Sequence, residues 1–144
     1  MNINKRFLSG VLLSILFALG AFHCARGAEA DEDAAVKAAL SWLALVDQSK
    51  YPESWNQAAS FFKSSVKKGQ WESQIKAARA PMGKLITRSV KTKKYATSLP
   101  GAPDGEYVVI QFDTKFANKD AAIETITPKK DKDGEWRVSG YFIR

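Results

Sequence analysis

The apolar residues of this chain change their period at Gly83, and that change limits the fold more than any other feature. From Asp33 to Gly83 they recur at steps of three, four and seven. Beyond Gly83 they alternate, in segments rich in Val, Ile, Thr and Tyr. A helical period that gives way to a strand period and does not return reads as helices packed on one face of an antiparallel sheet, an α+β fold.

In the helical half, Asp31-Glu32-Asp33 sets three negative charges beside the unpaired amides of a helix start. The spacing predicts a helix from about Asp33 to Gln48, with Val36, Ala39, Leu40, Trp42, Leu43 and Val46 on one face and Asp47 at the end of that stripe. A second helix opens at Tyr51-Pro52, where proline's missing amide costs nothing. It carries Trp55, Ala58, Ala59, Phe62 and Val66, and closes at Lys67-Lys68-Gly69, with cations at its negative end and glycine as cap. A third, shorter helix holds Trp71, Ile75, Ala78 and Met82 and ends at Pro81 and Gly83.

In the other half, Lys84 to Thr97 suits a long strand whose imperfect alternation implies a bulge or bend. Leu99 to Gly105 is loop chemistry. Tyr107 to Phe116 is the cleanest strand, with Val108, Ile110, Phe112 and Phe116 on one face and Tyr107, Gln111, Asp113 and Lys115 on the other. Asn118-Lys119-Asp120 joins it to a strand near Ala122 to Thr127, and Asp133-Gly134 supplies the next tight turn. In the last strand, Trp136 to Ile143, alternation puts Trp136, Val138 and Phe142 on one face and Arg137, Ser139, Tyr141 and Ile143 on the other. Three N-terminal helices packed on a curved four-stranded antiparallel sheet is the expected architecture.

Residues 1–30 read as a cleavable signal peptide. Lys5 and Arg6 precede an apolar run from Phe7 to Phe22, and Ala28-Glu29-Ala30 gives the small-residue cleavage pattern. Ser9, Gly10, Ser14 and Gly20 interrupt the run, which falls short of the roughly 20 apolar residues a membrane span needs. Cleavage is expected after Ala30, with a cut after Gly27 as the alternative. Cys24 raises lipoprotein processing, but His23 stands where that enzyme needs a small residue. Residues 31–144 then form a single domain, exported to the periplasm or secreted, with no transmembrane segment.

The only cysteine and the only histidine, Cys24 and His23, leave with the leader. The mature chain can assemble no imidazole base, thiol nucleophile, Ser-His-Asp triad or Cys/His metal cage. Asp131-Lys132-Asp133-Gly134-Glu135 is too short for a calcium loop and reads as a turn. No cofactor is expected. The whole chain carries a formal net charge of +7, concentrated around Lys63 to Lys68, Lys84 to Lys94 and Lys129 to Lys132. No aromatic residues interleave with these basic runs, so nucleic acid is not an expected partner. Solvated faces, or weak attraction to anionic envelope polymers and lipid headgroups, fit them.

Several segments resemble an uncharacterised bacterial exported family known as domain of unknown function number 4019. They are Trp42 to Asp47, Tyr51 with Ser54-Trp55, Trp71, Arg79 to Gly83 with Arg88, Leu99 to Tyr107, and Asp133 to Phe142. The resemblance spans nearly all of residues 34–144 and implies relatives without implying a reaction. The order of helices and sheet also looks like the cone-shaped nuclear transport factor 2-like and cystatin-like folds, in which a bent sheet holds a ligand, an active site or only side chains. Similar sheets often pair through their open face, which adds a homodimer to the expected partners.

The candidate ligand-binding residues are Asp47, Arg79, Arg88, Asp113 and Tyr141. Asp47, on an apolar face, is either a general base of raised pKa or an acceptor for Tyr51, Ser54 or the amides opening the second helix. Arg79 and Arg88, with Asp113 and Glu124 on adjacent strands, make either an anion site or an ion network holding sheet to helices. Trp42, Trp55, Trp71, Trp136, Tyr107 and Tyr141 line a pocket in one reading and fill the core in the other. The expected function is a non-enzymatic binding or protein-interaction domain of the bacterial envelope, engaging a small ligand or an envelope protein. The alternative is a small hydrolase, isomerase or dehydratase working with Asp, Glu and Tyr alone.

Overall fold

The computed structural model describes residues 20–144, with side chains from residue 27 onward. Most of the leader lies outside the described residues. Helix α1, Gly20–Asp47, runs continuously through the expected cleavage point after Ala30 and through the helix start expected near Asp33, so Asp31, Glu32 and Asp33 lie within the helix and not at its N-terminal amides. The three acids just after that point tie it to the sheet. Asp31 pairs with Lys130, Glu32 accepts the Tyr95 amide, and Asp33 pairs with Lys93. No described helix is long and apolar enough to cross a membrane.

The helix expected from Tyr51 to Gly69 is two short ones, α2 (Tyr51–Asn56) and α3 (Ser60–Ser65). The break has a tertiary cause: Ala59 adopts extended backbone and its amide donates to the Val138 carbonyl at 2.8 Å, so the chain is drawn onto the last strand. Ala58 and Ala59 are fully buried there, their small side chains permitting the approach. Lys68-Gly69, expected to close a helix, instead opens α4, Lys68–Arg79, which a 3-10 turn at Ala80–Met82 extends.

Four strands follow in sequence order as an antiparallel meander: β1 (Leu85–Ala96), β2 (Tyr107–Phe116), β3 (Lys119–Lys130) and β4 (Trp136–Ile143). The expected irregularity of β1 is present as two register shifts, after Leu85 and after Val90. Gly134 turns the last hairpin with φ 84°. Helices followed by a curved open sheet make this an α+β fold.

One face of the sheet carries the core. Ala35, Ala39, Trp42, Leu43 and Val46 of α1 meet Val108, Ile110 and Phe112 of β2, Ile126 of β3 and Val138 of β4. The small Ala35 and Ala39 let α1 lie close to the strands. Leu40, one step of about 100° round the helix from Ala39, is 42% exposed instead of buried. Tyr107 also departs from the alternation: it is buried, with its hydroxyl donated to the Pro103 carbonyl and Lys129 over its ring, because the loop after β1 folds back over it.

Strand β4 departs most. Thr127 pairs with Gly140 and Pro128 with Val138, leaving Ser139 as an extra residue. Pro128 has no amide to donate, so the ladder is interrupted there and a bulge is tolerated. Ser139 Oγ donates instead to the Thr127 carbonyl at 2.7 Å. The bulge reverses the alternation, so Val138 and Tyr141 both face the helices while Phe142 points away, 62% exposed.

Candidate functional site

Six elements each deliver one polar side chain to a single cluster beneath the helices. Asp47 is the last residue of α1 and Arg79 the last of α4. Arg88 comes from β1, Thr114 from β2, Glu124 from β3 and Tyr141 from β4. Arg79 suits its position, since a cation favours a helix C-terminus; Asp47 does not, and needs compensation.

Two arginines supply it. Arg79 Nη2 donates to Asp47 Oδ1 at 2.8 Å, and Arg88 donates from Nη1 to Oδ2 at 2.8 Å and from Nη2 to Oδ1 at 3.0 Å. Burial pushes the Asp47 carboxyl up, but these hydrogen bonds and the two positive charges outweigh it and hold it below its usual range. The expected donors Tyr51, Ser54 and the amides of α2 do not make these bonds. Ser54 is fully buried and committed elsewhere: its Oγ accepts from Trp71 Nε1 at 3.0 Å and its carbonyl accepts from Trp42 Nε1 at 2.7 Å.

Glu124 is 0% exposed and has both oxygens engaged. Oε2 accepts from Arg88 Nε and from Thr114 Oγ1, each at 2.6 Å, and Oε1 accepts from Tyr141 at 2.7 Å and Arg88 Nη2 at 3.1 Å. Burial pushes the Tyr141 phenol far above its ordinary value, and the neighbouring Glu124 charge adds to this. For Arg88, the carboxylates Asp47 and Glu124 more than offset the cost of burial and raise its pKa. A buried carboxylate with four donors and two arginines facing two acids is how charge is accommodated inside a protein.

The structure therefore gathers Asp47, Arg79, Arg88 and Tyr141 with Glu124. It leaves Asp113 out. Asp113 sits on the opposite face of the sheet, half exposed and paired with Lys91 at 2.9 Å. The alternation of β2 already grouped it with Gln111 and Lys115. Thr114 was missed, although it alternates in phase with Phe112 and Phe116.

The aromatic residues are core. Trp42 lies 5.5 Å from Trp71 and 5.8 Å from Tyr141 between ring centroids, and Phe62 meets Trp71 edge-on at 5.1 Å. Trp55 Nε1 donates to the Val66 carbonyl at 2.8 Å, so three indoles have found acceptors. No group of three or more His, Cys, Asp or Glu among the described residues is arranged to hold a metal ion.

A family model described as a protein of unknown function, DUF4019, matches residues 38–141, which takes in α1 from Ala38, the whole ionic cluster and β4 through Tyr141. The chain belongs to the DUF4019 family. The matched region includes every member of the cluster, so the ionic centre lies within the family domain and not in an appendage to it. No curated protein and no solved structure matches the chain.

Proposed function

We propose that this DUF4019 protein is an exported domain of the bacterial envelope that acts by binding a partner protein and not by catalysis. The observation that carries this reading is the engagement of both carboxylates of the cluster, the buried Glu124 and the part-buried Asp47. A general base needs a free lone pair and a pKa near the working pH. Asp47 has both oxygens bonded and is held low, while Glu124 accepts four hydrogen bonds. Tyr141, with its raised pKa, is a poor source of phenolate.

With the space between helices and sheet filled by core side chains, the sheet's other face is the surface we assign to the partner protein. Register lines up Thr92, Gln111, Thr125 and Phe142 in a row across all four strands, ending on the exposed Phe142 ring. An exposed aromatic residue on a polar sheet face suits protein contact, since aromatic anchors supply much of the energy at interfaces. Export rests on the signal-peptide pattern of residues 1–30.

The test is in-cell photocrosslinking from position 142, compared with position 76 on α4, followed by N-terminal analysis of the adduct. The expected result is one defined protein adduct from position 142, in the envelope fraction, on a chain beginning at Asp31. A cytosolic chain that keeps residues 1–30, or turnover of a substrate that Asp47→Asn abolishes, would overturn the reading.

A further inference from the structure

Among the described residues, the only buried side-chain polar atoms without a hydrogen-bond partner are Nε and Nη1 of Arg79. The side chain is 5% exposed. Its Nη2 donates to Asp47, its Cζ lies 4.6 Å from the Phe116 ring centroid, and its Nη1 stands 3.9 Å from Glu124 Oε1, beyond hydrogen-bond reach. A guanidinium does not shed its proton, and leaving its donors unmet inside a protein is costly. Arg88 alone supplies hydrogen bonds to both oxygens of Asp47 and both of Glu124. Arg79 is thus the under-used cation of the cluster.

Beside it opens a cleft of about 650 Å³, walled by the end of α1, Tyr51 of α2, and α4 with the 3-10 turn at its end. Lys76, Arg79 and Lys84 line it, and the one lining carboxylate is Asp47; Arg79 and Arg88 balance Asp47 and Glu124, which leaves the charges of Lys76 and Lys84 in excess. The carbonyls ending α1, which would repel an anion, are occupied: those of Ala44, Leu45 and Val46 accept from the amides of Gln48, Lys50 and Ser49. The cleft therefore offers an excess of positive charge above a buried guanidinium, whose two spare donors are turned inward towards Glu124 and Phe116.

We propose that this cleft binds a small oxyanion, a carboxylate or a phosphate, whose oxygen completes the donor set of Arg79 while Lys76 and Lys84 supply charge at the rim. Nε and Nη1 are closed off from solvent in the unliganded form. The anion engages them by drawing the guanidinium towards the cleft, a movement open to Arg79 because Arg88 holds Asp47 independently. This site is separate from the sheet face assigned to partner binding, so either can fail without the other.

The experiment follows the Arg79 Nε–H resonance of the purified protein by NMR during titration with inorganic phosphate and, separately, acetate, against sodium chloride at equal ionic strength. A saturable shift with either anion is expected. The arm that responds names the ligand class. The double variant Lys76→Gln/Lys84→Gln should keep its unfolding midpoint yet weaken the apparent affinity about fivefold. A resonance unmoved by both anions, a response identical in the double variant, or an ordered water on Nε and Nη1 that persists in crystals saturated with phosphate and acetate would overturn the proposal.

Discussion

Arg88 meets Glu124 side-on, Nε to Oε2 at 2.6 Å and Nη2 to Oε1 at 3.1 Å, which fastens an edge strand to a carboxylate with no exposed surface. β1 and β3 are not neighbours in the sheet, so this contact crosses over β2, whose Thr114 joins it from below. Replacing Arg88 with Met would leave Glu124 and Asp47 short of donors. The expected loss is about 3–5 kcal/mol by urea unfolding. Arg88→Lys should recover only part of it, because an ammonium cannot serve two carboxylates through a planar fork. Equal stability of Arg88→Met and wild type would show that the network is not structural.

Acid should weaken the fold through Asp47. Its carboxyl is held below the usual 3.8, so its stabilisation is fully present above that value and is lost as pH falls through the lower folded value. Asp133, held at about 2 mainly by its hydrogen bond with Arg137, also loses its stabilisation on the acid side, at the surface. The two separate by salt: screening should erase the Asp133 share and leave most of the Asp47 share. Urea midpoints of Asp47→Asn and Asp133→Asn between neutral pH and about pH 2, at low and high salt, check this. Asp47→Asn should flatten the acid limb at both salt levels.

Ser54 joins two indoles, accepting from Trp71 on its side chain and from Trp42 on its backbone. Ser54→Ala removes only the first acceptor and strands the Trp71 N–H in the core. The expected cost is about 1–3 kcal/mol, with a change in tryptophan emission, read by fluorescence-monitored unfolding. A variant as stable as wild type, with unchanged emission, would count against the assignment.

Gly83 sits where the helical half hands over to the sheet, with φ 75° and ψ −161°, a backbone conformation essentially confined to glycine. A Cβ there would also meet Asn118 Nδ2 at 2.9 Å. Gly83→Ala should cost about 1–3 kcal/mol in thermal or urea unfolding. Gly101→Ala, also at positive φ but with open space around it, should cost less. The reverse ranking would place the strain elsewhere.

Much of the fold was legible because local rules agreed with it. Helix α1 ends within a residue of its predicted end, and β2 and β4 match their predicted ranges. The Pro81–Gly83 stop, the Asp133-Gly134 turn and the irregularity of β1 also arise from local chemistry. The break at Ala59 and the inverted face of β4 share an origin in contacts between distant residues. The run from Tyr51 to Gly69 has a helical period throughout, yet it breaks because the Ala59 amide is taken by Val138. The alternation of β4 is inverted at Ser139, opposite Pro128, a residue whose missing donor was visible but whose strand partner was not.

For the site, the sequence by itself determined the inventory: after residue 30 there is no His or Cys, so any buried polar centre had to be built without imidazole or thiol. It also named Asp47, Arg79, Arg88 and Tyr141. Only the tertiary structure decided that these converge on Glu124, that Asp113 faces away from them, and that Arg79 keeps two unmatched donors beside an open cleft. The physical reason is that periodicity records which face a side chain takes on its own element. Which charges meet across elements depends on strand register and helix docking, and those are set by packing between residues far apart in the chain.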